Sequence, residues 1–181
     1  MKKYILLVIF FLSFTLYATT QDFGYKTIDI GAEFLTSSKG NTTSVLLAYN
    51  LPVHHAFILR AGYNNSNWKE KGNHDNEKGS GPGASLGYRY YFLVRPHGFF
   101  LGVNAQAWRL SIDWQEGTTT GKTKTWALQP TAEMGYMFLI NDMFFISPTI
   151  SSGIQSNFKT EGQEVGEGFI TRFGISAGWK F

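Results

Sequence analysis

Residues 168–181 read G-F-I-T-R-F-G-I-S-A-G-W-K-F. Phe169, Thr171, Phe173, Ile175, Ala177, Trp179 and Phe181 share one parity; Ile170, Arg172, Gly174, Ser176, Gly178 and Lys180 share the other. Side chains of a strand point alternately to its two faces, so this spacing predicts a strand with a bulky apolar face and a smaller, more polar one. A soluble barrel turns its apolar face inward, whereas a barrel in lipid turns it outward and keeps the small polar face for a narrow interior. The charges upstream decide between the two.

Seven further runs alternate in the same way. Strand 25–35 sets Ile28, Ile30, Ala32 and Phe34 against Thr27, Asp29, Gly31 and Glu33, and strand 42–51 sets Val45, Leu47 and Tyr49 against Ser44, Ala48 and Asn50. Strand 55–64 carries Arg60 on its polar face, strand 82–93 carries Arg89, and strand 123–140 carries Glu133. In strand 99–112 the parity blurs after Trp108, where a bulge is expected; strand 144–155 presents Phe144, Ile146, Pro148, Ile150 and Ile154 on its apolar face. Mid-strand charges always fall with the small residues, so the greasy face is the outer one. Polar stretches at 36–41, 65–81, 113–122 and 156–167 read as loops, and they alternate with brief turns at 52–54, 94–98 and 141–143. That asymmetry, with an even strand number, belongs to barrels that keep short turns in the periplasm and longer loops outside. Lipid cannot satisfy an open sheet edge. The expected fold is all-β: an eight-stranded antiparallel up-and-down transmembrane β-barrel over residues 21–181.

Residues 1–20 differ in kind. Lys2 and Lys3 precede an apolar run from Tyr4 to Leu16 and then small residues, which reads as a secretory signal peptide. Ala18 has a poor third residue before it in Leu16, and Thr15 or Thr20 are alternative cleavage points. Of 16 Lys and Arg, removal of Lys2 and Lys3 leaves 14 against 13 Asp and Glu, so nucleic-acid binding loses its electrostatic support. Zero Cys excludes a disulfide scaffold, thiolate metal sites and a lipoprotein anchor. Aromatics at 17% beside only 16% charged residues suit a barrel with aromatic girdles.

In this pattern, and in a last strand that ends on Phe181, the chain resembles the small eight-stranded bacterial outer-membrane barrel proteins typified by OmpX, the OmpA barrel and OmpW. The resemblance implies that Phe173, Ile175, Trp179 and Phe181 form the signal read by the outer-membrane assembly machinery. It also implies a monomer surrounded by membrane lipid and lipopolysaccharide, with no cofactor.

Six inward charges are the first candidate site: Asp29, Glu33 and Glu133 against Arg60, Arg89 and Arg172. An eight-stranded barrel is just wide enough to be filled by side chains, and an isolated ion there costs several kcal/mol, so these six are expected to pair as a plug. Pro130 and Pro148 are the second. Neither can donate to a β-ladder, so they mark bulges or a lateral seam between strands six and seven. The seam would resemble the side opening of the lipid A palmitoyltransferase barrel. Acyl transfer of that kind needs a base near the outer leaflet, and His74, near Asp75, Ser66 and Ser80, is the sole candidate; the amphipathic lead helix of that family has no counterpart in residues 21–24. Gly117 to Thr123, G-T-T-T-G-K-T, is one residue short of a phosphate loop and lies between strands. His54 and His55 point to opposite faces and read as interface anchors. The expected role is structural or surface-interacting through extracellular loops, with an extracellular ligand there. The alternatives are a narrow pore or lateral conduit, and then a lipid-modifying enzyme.

Overall fold

The computed structural model describes residues 26–68 and 72–181. The expected signal peptide at residues 1–20, residues 21–24 and the start of the first expected strand at Tyr25 lie outside the described residues. Eight strands follow: β1 (Ile28–Ser37), β2 (Gly40–Asn50), β3 (His55–Asn67), β4 (Asn76–Tyr91), β5 (Gly98–Glu116), β6 (Thr119–Ile140), β7 (Phe144–Glu161) and β8 (Gly168–Lys180). Each pairs antiparallel with the next, and β8 returns to β1 from Asp29↔Lys180 to Thr36↔Phe173, closing the ring. No sheet edge is left for lipid to meet.

The faces follow the parity of the sequence. Val45, Leu47, Leu59, Leu86, Val103, Leu128, Met134, Ile154, Phe173 and Ile175 stand exposed around the waist, while Asp29, Glu33, Arg60, Arg89, Glu133 and Arg172 are buried. At the end where β1 begins, the belt is edged by rings in contact with one another, among them His54 on Tyr90, His55 on Tyr88, Phe92 on Phe99 and Phe144 against Trp179. His55 Nδ1 lies 2.6 Å from the Tyr88 hydroxyl. This is an inside-out barrel, built for an apolar solvent around its waist.

The expected loops are mostly strand. Connections at the far end shrink to residues 38–39, 68–75, 117–118 and 162–167, against 51–54, 92–97 and 141–143 at the near end. The length asymmetry therefore lies in strands that run on past the apolar belt, not in loose loops. Gly117, at φ 58°, is the left-handed first residue that a two-residue type II′ hairpin requires.

The bulge expected after Trp108 is absent. β5 pairs with β6 without interruption from Gly98↔Met137 to Glu116↔Thr119, and its parity is unbroken. What changes is the solvent: Arg109 and Asp113 take the exposed face while Leu110, Ile112 and Trp114 turn inward beside Trp108. Beyond the belt β5 becomes right side out, while its neighbours keep Asn64, Ser66, Glu77, Thr123 and Thr125 buried. The register slip sits instead on β7, between Lys124 and Trp126 of its partner, at Lys159 with φ 52°.

If the belt faces lipid, Val103→Arg should lower the unfolding free energy in phospholipid bilayers by about 2–4 kcal/mol, and Ser111→Arg, farther along the same face, by less than about 1 kcal/mol. Denaturant titration checks this; equal losses would contradict the position of the belt.

Candidate functional site

The buried interior is stacked in tiers. Nearest the chain ends, Lys180 Nζ lies 2.7 Å from Asp29 Oδ2, and Asn50 Nδ2 donates to Asp29 Oδ1 at 2.7 Å. Above them Leu46, Ala48, Ala56, Ile58, Tyr91, Phe100, Met137 and Phe145 form an apolar stopper across the bore.

The central tier alternates in sign. Glu33 takes Arg60 Nε at 2.8 Å; Glu133 takes Arg60 Nη2 at 3.2 Å and Arg89 Nε at 2.6 Å; Arg60 Nη1 also donates to Asn104 Oδ1 at 2.5 Å. Arg89 lies over the Phe100 ring, 4.3 Å from its centroid, so the ionic tier rests directly on the stopper. Strands β1, β3, β4, β5 and β6 each supply one of these side chains.

Thus the six charges do not form one network. Asp29 belongs to a separate pair with Lys180, whose inward parity was visible but whose place next to the chain's last residue hid its partner. Arg172 stands apart in a third tier, donating to Gln106 Oε1 at 3.0 Å and Gln129 Oε1 at 2.6 Å. Gln129 bonds on to Gln155 at 2.6 Å, and Trp108 Nε1 donates to Gln129 at 3.1 Å. Sequence parity places residues on a face; it does not say which strands meet across the bore.

The prolines interrupt the same ladder. Between β6 and β7, pairing is missing around Pro130, from Leu128↔Ser156 to Thr131↔Gly153, and around Pro148, from Gly135↔Thr149 to Phe138↔Ile146. Their other neighbours stay paired, at Ala105↔Pro130 and Pro148↔Ile175. Pro82, expected at a strand start, sits inside β4 and faces a similar gap toward β5.

A cap closes the far end, and the sequence did not announce it because its residues fall in what reads as a solvated loop. Glu77, 1% exposed, accepts the backbone N–H groups of Asn73, His74 and Gly166 at 2.7–3.0 Å. His74 stacks on Trp114 with centroids 4.4 Å apart and sets Nδ1 3.0 Å from Glu77 Oε1 and Nε2 3.0 Å from Gln163 Oε1. Both ring nitrogens face acceptors, an arrangement that suits the imidazolium. Burial opposes that charge, but the bonds to Gln163 and Glu77 and the Glu77 carboxylate outweigh it and raise the His74 pKa above its ordinary value. Ser66 bonds to Asn64 and Ser80 to Tyr63, so neither serine expected beside His74 is its partner. Among the described residues no group of three or more His, Cys, Asp or Glu could hold a metal ion.

This fold and these faces define an eight-stranded transmembrane β-barrel with a filled bore. Neither a family model nor the sequence of a curated protein matches the chain. Among solved structures it is similar to the N-terminal β-barrel domain of Pseudomonas aeruginosa OprF, with a TM-score of 0.53 and 15% identity over 87% of this chain and 98% of that one. The attachment invasion locus protein Ail of Yersinia pestis (TM-score 0.48, 12% identity, 85% and 95% covered) and Neisserial surface protein A (0.46, 12%, 85% and 94%) also align. The OprF likeness is one of fold.

Two outcomes follow from the tiers. Glu133→Gln strips Arg60 and Arg89 of a shared carboxylate and should cost about 3–5 kcal/mol, with Arg89→Gln added to it costing less than the sum of the two single losses; denaturant unfolding of the four proteins checks the coupling. A histidine pKa raised by folding adds stability that is complete below about pH 6.5 and is lost as pH rises through the folded value. Protection of the Gly166 amide against hydrogen exchange, corrected for intrinsic rate, should therefore fall across that window, and His74→Gln should flatten the dependence.

Proposed function

We propose that this chain is a bacterial outer-membrane protein, exported through a cleaved signal peptide at residues 1–20, with a structural or surface-interaction role carried by its far, extracellular end. One observation carries the reading. Beyond the belt β5 inverts its faces and β6 turns Lys122 and Lys124 away from the bore, so that the two present a folded, polar, water-facing hairpin of which Gly117 and Thr118 are the tip. A rigid scaffold that holds such a surface above the membrane suits contact with an extracellular ligand. The stopper, ionic tier and cap support a bore that does not conduct. The barrel stands as a monomer among membrane lipid and lipopolysaccharide, after the assembly machinery has read Phe173, Ile175, Trp179 and Phe181.

A second reading, a lateral conduit for small apolar molecules between β6 and β7, is favoured by the two proline gaps in one ladder.

Replacing residues 111–124 by an Asn-Gly turn joins Leu110 to Thr125, which are already paired. The barrel should still fold and resist protease while any cell-surface binding or envelope phenotype of the strain is lost; an unchanged phenotype would move the role elsewhere. Planar-bilayer recordings of the wild type and Glu133→Ala should both be silent. Discrete openings that respond to the mutation would favour a pore, and uptake of apolar solutes that stops in Pro130→Val/Pro148→Thr would favour the conduit.

A further inference from the structure

Below the cap the bore buries four cations, Arg60, Arg89, Arg172 and Lys180, and three carboxylates, Asp29, Glu33 and Glu133. Lys180 is matched by Asp29, and Arg60 and Arg89 share Glu33 and Glu133. Arg172 is the remainder. It is 5% exposed, and its hydrogen-bond partners are two amide oxygens, which orient a guanidinium without neutralising it; the one carboxylate whose field reaches it, Glu33, is already taken up by Arg60 and Arg89. A buried charge left in that state is unfavourable unless an opposite charge reaches it.

Beside Arg172 lies a cavity of ≈ 10 Å³, with Thr42, Asn64, Ser66 and Gln155 among its polar walls and no carboxylate on any of them. The Thr42 hydroxyl is buried and has no hydrogen-bond partner. Lys39, half-exposed and 3.8 Å over the Trp68 ring, brings a second positive charge to the rim. A space of this size takes about one water-sized body. Phosphate, sulfate and carboxylates are too large for it.

We propose that this cavity is a binding site for one small monovalent inorganic anion of halide size, held by the Arg172 guanidinium and the Thr42 hydroxyl. The anion completes the charge balance of the bore: one unmatched cation, one monovalent ligand. Its walls come from β1, β2, β3, β7 and β8, so occupancy ties β2, β7 and β8, which supply none of the charges of the central ionic tier, to β1 and β3, which do.

The test uses the full chain in detergent, prepared without halide, with bromide as the probe. The wild type should melt at a higher temperature in sodium bromide than in sodium gluconate of equal ionic strength, and the rise should saturate as expected for a ligand of the folded state. Crystals soaked in bromide should show an anomalous peak within hydrogen-bonding distance of Arg172. Arg172→Gln should lose the response. If that variant does not fold, Thr42→Asp keeps Arg172 and supplies the missing carboxylate; it should melt above the wild type in gluconate and ignore bromide. Identical wild-type melting in the two salts, or bromide peaks confined to the surface, would overturn the site and leave a cavity that holds water only.

Discussion

Closure of the ladder in lipid governs everything else in this chain. Each backbone group of the belt must find its partner within the ring, so β8 has to return to β1, and eight strands then enclose a bore no wider than the side chains that fill it. Charges placed in that bore have to find their partners inside it. The Glu33–Arg60–Glu133–Arg89 tier is the result, an alternation of sign that joins four strands and, through Asn104, a fifth. Room for it is made by small neighbours: a Cβ on Gly87 would lie 2.0 Å from Asn104 Oδ1. The opposite wall answers with Ser147, Ser151 and Ser176, which are buried and short.

One strand serves two solvents. Along β5 the inward row runs Asn104, Gln106, Trp108, Leu110, Ile112 and Trp114, from polar to apolar, while the outward row runs from Val103 to Asp113 in the reverse sense. The period never changes; only the sign of the pattern does. A reading by alternation alone meets a zone where both faces look mixed, which is why the strand seems to falter after Trp108. The same ambiguity hides strand ends, because alternating polar residues in water and a polar loop have similar composition.

Strand number, faces, closure and the inward position of every central charge were legible, since each rests on parity of two. Partnerships across the bore were not: whether Asp29 meets Arg60 or Lys180 depends on the stagger of the strands, and stagger is a property of pairing registers that no single strand displays. The cap was the least legible part. Glu77 lies in a stretch of Asn, Lys, Glu and Gly, and its burial follows from Gly72 and Gly166 closing over it, a contact between hairpins 89 residues apart.

The prolines show how a closed ladder tolerates a fault. Pro130 and Pro148 each remove a donor from the β6–β7 pairing, yet five consecutive pairs, Thr131↔Gly153 to Gly135↔Thr149, hold between the two gaps. At the Pro130 gap the side chains take over where the backbone stops, because Gln129 Nε2 donates to Gln155 Oε1 at 2.6 Å across the unpaired position. At the Pro148 gap no such stitch exists: the Ser147 hydroxyl is buried without a partner, opposite Met137. The two faults are therefore unequal. The one backed by the amide tier is sealed by the same Gln129 that holds Arg172, so the wall there is only as firm as the polar tier behind it, whereas the one near the chain ends relies on Met137 and the apolar stopper.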